Sequence, residues 1–180
     1  MKLAMNIAYA LVIAIAFLIL PGCAPTGTAA SGGAATVPGP DPANATFIIE
    51  KNSVTLTNGR SEKEAAPGSS TKIVTTLTDK RTTGDVDGDG RPDSIVILTY
   101  QSGGSGTFYY VAAVLNGASG VTTTPAVLLG DRIAVNGVRL DGATIVVDTL
   151  DRASGQPFTT SPSVSVTKRF AAANGALAPR

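Results

Sequence analysis

Apolar residues follow two rhythms along this chain of 180 residues. Ala8 to Leu20 is an apolar run broken only by Tyr9 at its edge. From Thr46 onward the apolar positions come in short runs, many alternating with polar ones, which is the period of a strand with one buried face. Phe47 to Glu50 and Ser53 to Thr57 are predicted as strands, the second with Val54 and Leu56 inward. Asn58-Gly59 is a pair that two-residue hairpin turns favour, with Arg60 to Ala65 as a polar return arm and solvated edge. Ser61 to Ala66 alternatively makes one helical turn, and Pro67-Gly68 ends either element. Lys72 to Thr78 puts Ile73, Thr75 and Leu77 on one face of a half-buried strand. Ile95 to Thr99 and Phe108 to Leu115 are apolar on both faces, which predicts strands covered on both sides, and Ser102 to Gly106 is a loop between them.

Further strands are expected at Pro125 to Leu129, Arg132 to Leu140 and Thr144 to Leu150, with turns at Gly130-Asp131, Asn136-Gly137 and Asp141-Gly142. Ser163 to Phe170 alternates again with Val164 and Val166 inward, and Ala171 to Leu177 forms a turn and a last short strand. No amphipathic helix of useful length follows Leu20. The fold expected is all-β: a single compact antiparallel sandwich or barrel-like domain after a cleaved leader and a flexible tether.

The amino-terminal run has the layout of a secretory leader, with Lys2 ahead of the apolar segment. A membrane-spanning helix is the competing reading, and Asn6 and Pro21-Gly22 count against it. Leu20-Pro21-Gly22-Cys23 resembles the bacterial lipobox. The resemblance implies a leader over residues 1–22, cleavage before Cys23, diacylglycerol on its sulfur and further acylation of the new amino terminus. Two or three acyl chains anchor a protein stably where one does not. Ala24 after the cysteine implies the outer membrane where the host has one. The alternative is an ordinary signal peptide followed by an unlipidated surface cysteine. Residues 23–45 then read as lipidated cysteine and tether, poor in charge and bulk, with a coil span of roughly 25 Å. Residues 46–180 form the domain.

Composition narrows the chemistry. There are 14 basic and 13 acidic side chains, and Lys2 belongs to the leader, so the remainder is formally neutral. No electrostatic footprint for nucleic acid exists, nor a basic patch for lipid headgroups. Histidine is absent, which excludes any triad built on it, and the single cysteine excludes an internal disulfide and a cysteine zinc site. Tyr100, Phe108, Tyr109 and Tyr110 are the one aromatic cluster available to a ligand, and their place in apolar strands points to core.

One stretch carries candidate chemistry. Thr83-Gly84-Asp85-Val86-Asp87-Gly88-Asp89-Gly90-Arg91-Pro92-Asp93 sets carboxylates at alternate positions in a tight, glycine-punctuated turn, the pattern of a calcium loop. Asp85, Asp87 and Asp89 would give side-chain oxygens, Arg91 its backbone carbonyl, and Asp93 a direct or water-bridged oxygen. Four carboxylates so close repel one another without a cation. Val96 stands where a helix-loop-helix site needs glutamate, and a β-branched run follows, so an EF-hand sensor is ruled out. The loop resembles those of FG-GAP repeats and, more distantly, dockerins, which implies a structural calcium ion. With one copy only, a propeller is not expected.

A longer run, from Gly84 through Gly103 to Asn116 and Leu128-Leu129-Gly130-Asp131-Arg132 to about Phe170, resembles a group of uncharacterised bacterial secreted or lipid-anchored proteins. That resemblance implies compartment and architecture, not an activity. Such relatives often carry paired cysteines near Gly155 to Pro162, which are missing here.

Three functions fit. The first is a lipid-anchored envelope protein in a binding or structural role, held to the membrane through Cys23 and acting on an envelope protein or ligand. The second is a carboxylate hydrolase using Asp131, Asp141, Asp148 or Asp151. The third is an accessory subunit that pairs through the edge Arg60 to Ala65. No catalytic residue is assigned.

Overall fold

The structure, a computed structural model, describes residues 39–180. A short 3-10 helix at Pro42–Asn44 leads into twelve strands. They are β1 (Thr46–Ile49), β2 (Asn52–Thr55), β3 (Arg60–Glu64), β4 (Lys72–Gly84), β5 (Asp93–Gln101) and β6 (Phe108–Gly117). Then come β7 (Gly120–Thr123), β8 (Val127–Asp131), β9 (Ala134–Asp141), β10 (Thr144–Asp151), β11 (Val164–Ala173) and β12 (Ala176–Pro179). The central sheet runs β3-β4-β5-β6-β7, and β8 also pairs with β6. A two-stranded sheet, β1-β2, covers one face, and a four-stranded sheet, β12-β11-β10-β9, covers the other. All strand pairs are antiparallel and the sheets do not close into a barrel, so the domain is a sandwich with a double-faced middle layer.

The unbroken apolar runs explain that middle layer. Ile95, Ile97, Val111, Ala113 and Leu115 point one way, against Ile145, Val147 and Phe170 of the four-stranded sheet. Val96, Leu98, Tyr100, Tyr110, Ala112 and Val114 point the other way, against Phe47, Ile49, Val54 and Leu56. A strand alternates its side chains between faces, so only consecutive apolar residues serve two cores.

Several expectations are corrected. Asn58-Gly59 does turn, with φ of +52° and +80° and Thr57 bridged to Arg60, but its arms separate. Val54 and Leu56 commit β2 to the small sheet, while β3 pairs with β4, so the hairpin stops at one bridge, and Arg60 to Glu64 is a strand, not a helical turn. Asn136-Gly137 is no turn: β9 runs through it, and Asn136 is the extra residue of a bulge, since Asp148 faces Gly137 and Thr149 faces Val135. Gly130-Asp131 still belongs to β8, and the chain turns at Arg132, with φ +51°. The glycine at 130 answers to packing, because a Cβ there would lie 2.7 Å from Ile133 Cγ2. Val164 is 42% exposed rather than inward, and Val166 is half-buried.

The folded unit also starts before Thr46. Asp41 caps the 3-10 helix by accepting from the Ala43 N–H, Ser94 Oγ donates to the Pro40 carbonyl at 2.7 Å, and Gly59 N–H donates to the Ala43 carbonyl. Residues 39–45, expected in the tether, are therefore docked on the sandwich.

Candidate metal centre

The acidic stretch is the loop between β4 and β5, and the ladder closes it tightly: Gly84 and Asp93 are register partners. Inside, each carboxylate accepts backbone N–H groups a few residues on. Asp85 takes Gly88 at 2.7 Å on one oxygen and Gly90 at 2.9 Å on the other. Asp87 takes Asp89 at 3.2 Å, and Asp89 takes Arg91 at 2.9 Å. These local bonds are the turn-forming habit of aspartate, and they curl the chain inward. Gly88 and Gly90, both at φ +82°, supply the left-handed backbone that the curl needs. The result is a convergence: one ligand atom from each of Asp85, Asp87 and Asp89 lies within 4.8 Å of the others.

The loop is anchored from below. Val86 is buried in the core facing the four-stranded sheet, and its N–H donates to Asp93 Oδ2 at 3.0 Å. Asp93 is fully buried, and its Oδ1 accepts from Asn116 N–H at 2.9 Å, which ties the loop to the end of β6. Arg91 reaches the same place, donating through Nε to the Asn116 carbonyl while its guanidinium pairs with Asp89 Oδ2.

Electrostatics push Asp85 and Asp93 in opposite directions. The Gly90 and Gly88 amides hold Asp85 below the usual carboxylate range. Burial pushes Asp93 up against the pull of the Val86 and Asn116 amides, and the charges of Asp87 and Asp89 push the same way. Asp93 thus stands as a post under the loop, its two oxygens accepting from backbone amides, and it is not one of the three carboxylates that converge above it. Arg91, expected to offer a backbone carbonyl, also brings a guanidinium that competes for Asp89.

The donor set suits a hard cation. All side-chain donors are oxygens, the choice of calcium and magnesium rather than of transition metals. A carboxylate oxygen that accepts one N–H keeps a second lone pair, and Asp87 Oδ2 accepts no hydrogen bond from the described residues. The Asp85, Asp87 and Asp89 group can therefore hold a metal ion.

Asn116 is the residue that sequence reasoning missed. Its N–H and carbonyl both serve the loop, yet it stands 23 positions from Asp93 and looks like the end of an apolar strand. Cys23 lies outside the described residues.

The hydrolase candidates each answer to a local partner. Asp131 holds the Thr107 N–H and Arg132, Asp141 pairs with Arg169, Asp148 with Arg139 and Thr167, and Asp151 accepts from the Arg152 N–H. None of the four is buried, and none belongs to the converging acidic group. No family model, curated protein or solved structure matches the chain.

Proposed function

We propose that this is a lipid-anchored protein of the bacterial cell envelope whose sandwich is braced by calcium at Asp85, Asp87 and Asp89, in a binding or structural role. The observation that carries the metal reading is the convergence of three carboxylates in a loop closed by the β4–β5 ladder. The anchor rests on Cys23 within Leu20-Pro21-Gly22-Cys23 behind a leader-like segment. A calcium ion would fix the curl of the loop between β4 and β5 and offset the mutual repulsion of the carboxylates.

Thermal unfolding tests the metal. At a hundred times the dissociation constant, calcium stabilises by about 2.7 kcal/mol, a shift on the order of 10 °C for a domain of this size. That shift should vanish in chelator and in Asp87→Ala. An unchanged melt in excess chelator would make the loop an acidic turn. Labelling with radioactive palmitate tests the anchor: label lost in Cys23→Ser supports it, and an unlabelled wild-type chain overturns it.

A further inference from the structure

The central sheet treats its edges unequally. An edge strand exposes unpaired amide and carbonyl groups, and proteins guard it with charge, proline or cover. At one end, β3 alternates Arg60, Glu62, Lys63 and Glu64 over five residues. In the second sheet, the outermost strand β12 is four residues long and ends in Pro179. β8 is less guarded: among the described residues it pairs only with β6, it has no proline, its one charge is Asp131 at its last position, and it leaves Leu128 50% exposed.

Beside that edge runs a cleft of about 350 Å³ between β8 and the β11–β12 pair. Val127 and Phe170 give it an apolar lining, Lys168, Arg169 and Arg180 supply cations, and among the described residues no acidic side chain lines it. Lys168 crosses from the second sheet and donates to the Leu129 carbonyl at 2.6 Å. One ammonium thus does for a single carbonyl what a paired strand does for a whole edge, and it has N–H groups to spare. Arg180 donates to Thr144 Oγ1 and, among the described residues, meets no side-chain carboxylate. Arg169 reaches Asp141 at 3.3 Å, but both side chains are largely exposed, where such a pair contributes little.

We propose that the free edge of β8 is a docking strand for an acidic, extended segment of a partner polypeptide. Its backbone would add a strand beside β8, and its alternate side chains would divide by face. Acidic ones would turn toward Lys168, Arg169 and Arg180. Apolar ones would lie beside Leu128, which shares its face with its register partner Tyr110. This edge lies at the opposite end of the central sheet from β3, the edge that sequence reasoning singled out.

The test uses the full chain in lipid nanodiscs and a fluorescein-labelled peptide of alternating Glu and Val, read by fluorescence anisotropy. Saturable binding is expected, with none to empty discs. Binding should weaken about tenfold or more, roughly 1.4 kcal/mol, when Lys replaces Glu in the peptide and when every second peptide nitrogen is methylated. Lys168→Gln, which keeps a donor for Leu129, and Arg180→Gln at the exposed chain end should each weaken it with the melting temperature unchanged. Should Lys168→Gln fail to fold, Arg180→Gln decides alone. The proposal is overturned by no saturation at millimolar peptide, by equal binding of the methylated peptide, or by equal binding to empty discs.

Discussion

Asp89 is where the candidate metal centre and the protein's own charges compete, because its second oxygen already holds Arg91. A cation that binds through that oxygen must share it with the guanidinium or displace it. Arg91→Gln should therefore tighten calcium binding, by about fivefold if the exposed pair is worth about 1 kcal/mol. Titration calorimetry reads this directly, and an unchanged affinity would show that Arg91 does not compete. Asp93 makes the opposite kind of prediction. Asn in its place keeps one acceptor and turns an NH2 group toward a buried N–H, so Asp93→Asn should cost about 1–3 kcal/mol in urea unfolding even without metal. Asp148 sets a pH dependence. The Thr167 hydroxyl lowers its pKa in the fold, burial pushes the other way, and the charges of Arg139 and Arg169 and a hydrogen bond from Arg139 add to the lowering, so the net direction is down. Its contribution to stability is then present above the unfolded value near 3.9 and lost as pH falls through the lower folded value. Asp148→Asn should flatten that part of the acid limb, and a limb as steep as in the wild type would show that the pair contributes nothing.

At the scale of elements, the double-faced middle layer has a signature that a one-sided sheet lacks. Ile97 and Leu98 are adjacent, both fully buried, and face different cores. Ile97→Ala and Leu98→Ala should each cost about 2–5 kcal/mol in urea unfolding. A near-neutral result at either site would mean that one cover is loosely held. This layer was legible in the sequence because consecutive β-branched and aromatic residues have few other uses. What local sequence did not encode was partnership. Asn58-Gly59 specifies its own left-handed backbone, but not whether the arms beyond it stay together, which the apolar side chains of β2 decided. Asn136-Gly137 has the same letters and became a bulge because β10 continues on its far side. Gly130 was read as part of a turn when it marks close contact with Ile133. The carboxylate cluster was legible for the converse reason: its bonds span two to five residues, within reach of local pattern. The support that Asp93 gives through Asn116 was hidden because the two are distant in sequence.

At the scale of the whole molecule, the chain enters the sandwich beside the acidic loop. A Cβ on Gly39 would lie 2.6 Å from Ser94 Oγ and 2.9 Å from the Asp93 carbonyl, so the arm packs against the residue whose carboxylate holds the loop. Only a residue without a side chain permits that approach. Gly39→Ala should push this end of the arm outward while the bonds at Ala43, Asn44 and Ala45 remain, so the melting temperature should move less than in the core variants. Limited proteolysis should instead report the change, with faster cleavage within residues 39–45, since local opening sets exposure. If calcium occupies the loop, its removal softens the same corner, and both chelator and Asp87→Ala should speed cleavage at the same bonds in the wild-type arm. Equal rates with and without calcium would separate the entry point from the loop. A matched acceleration would mean that an ion held by Asp85, Asp87 and Asp89 also fixes where the domain takes up the chain arriving from Cys23.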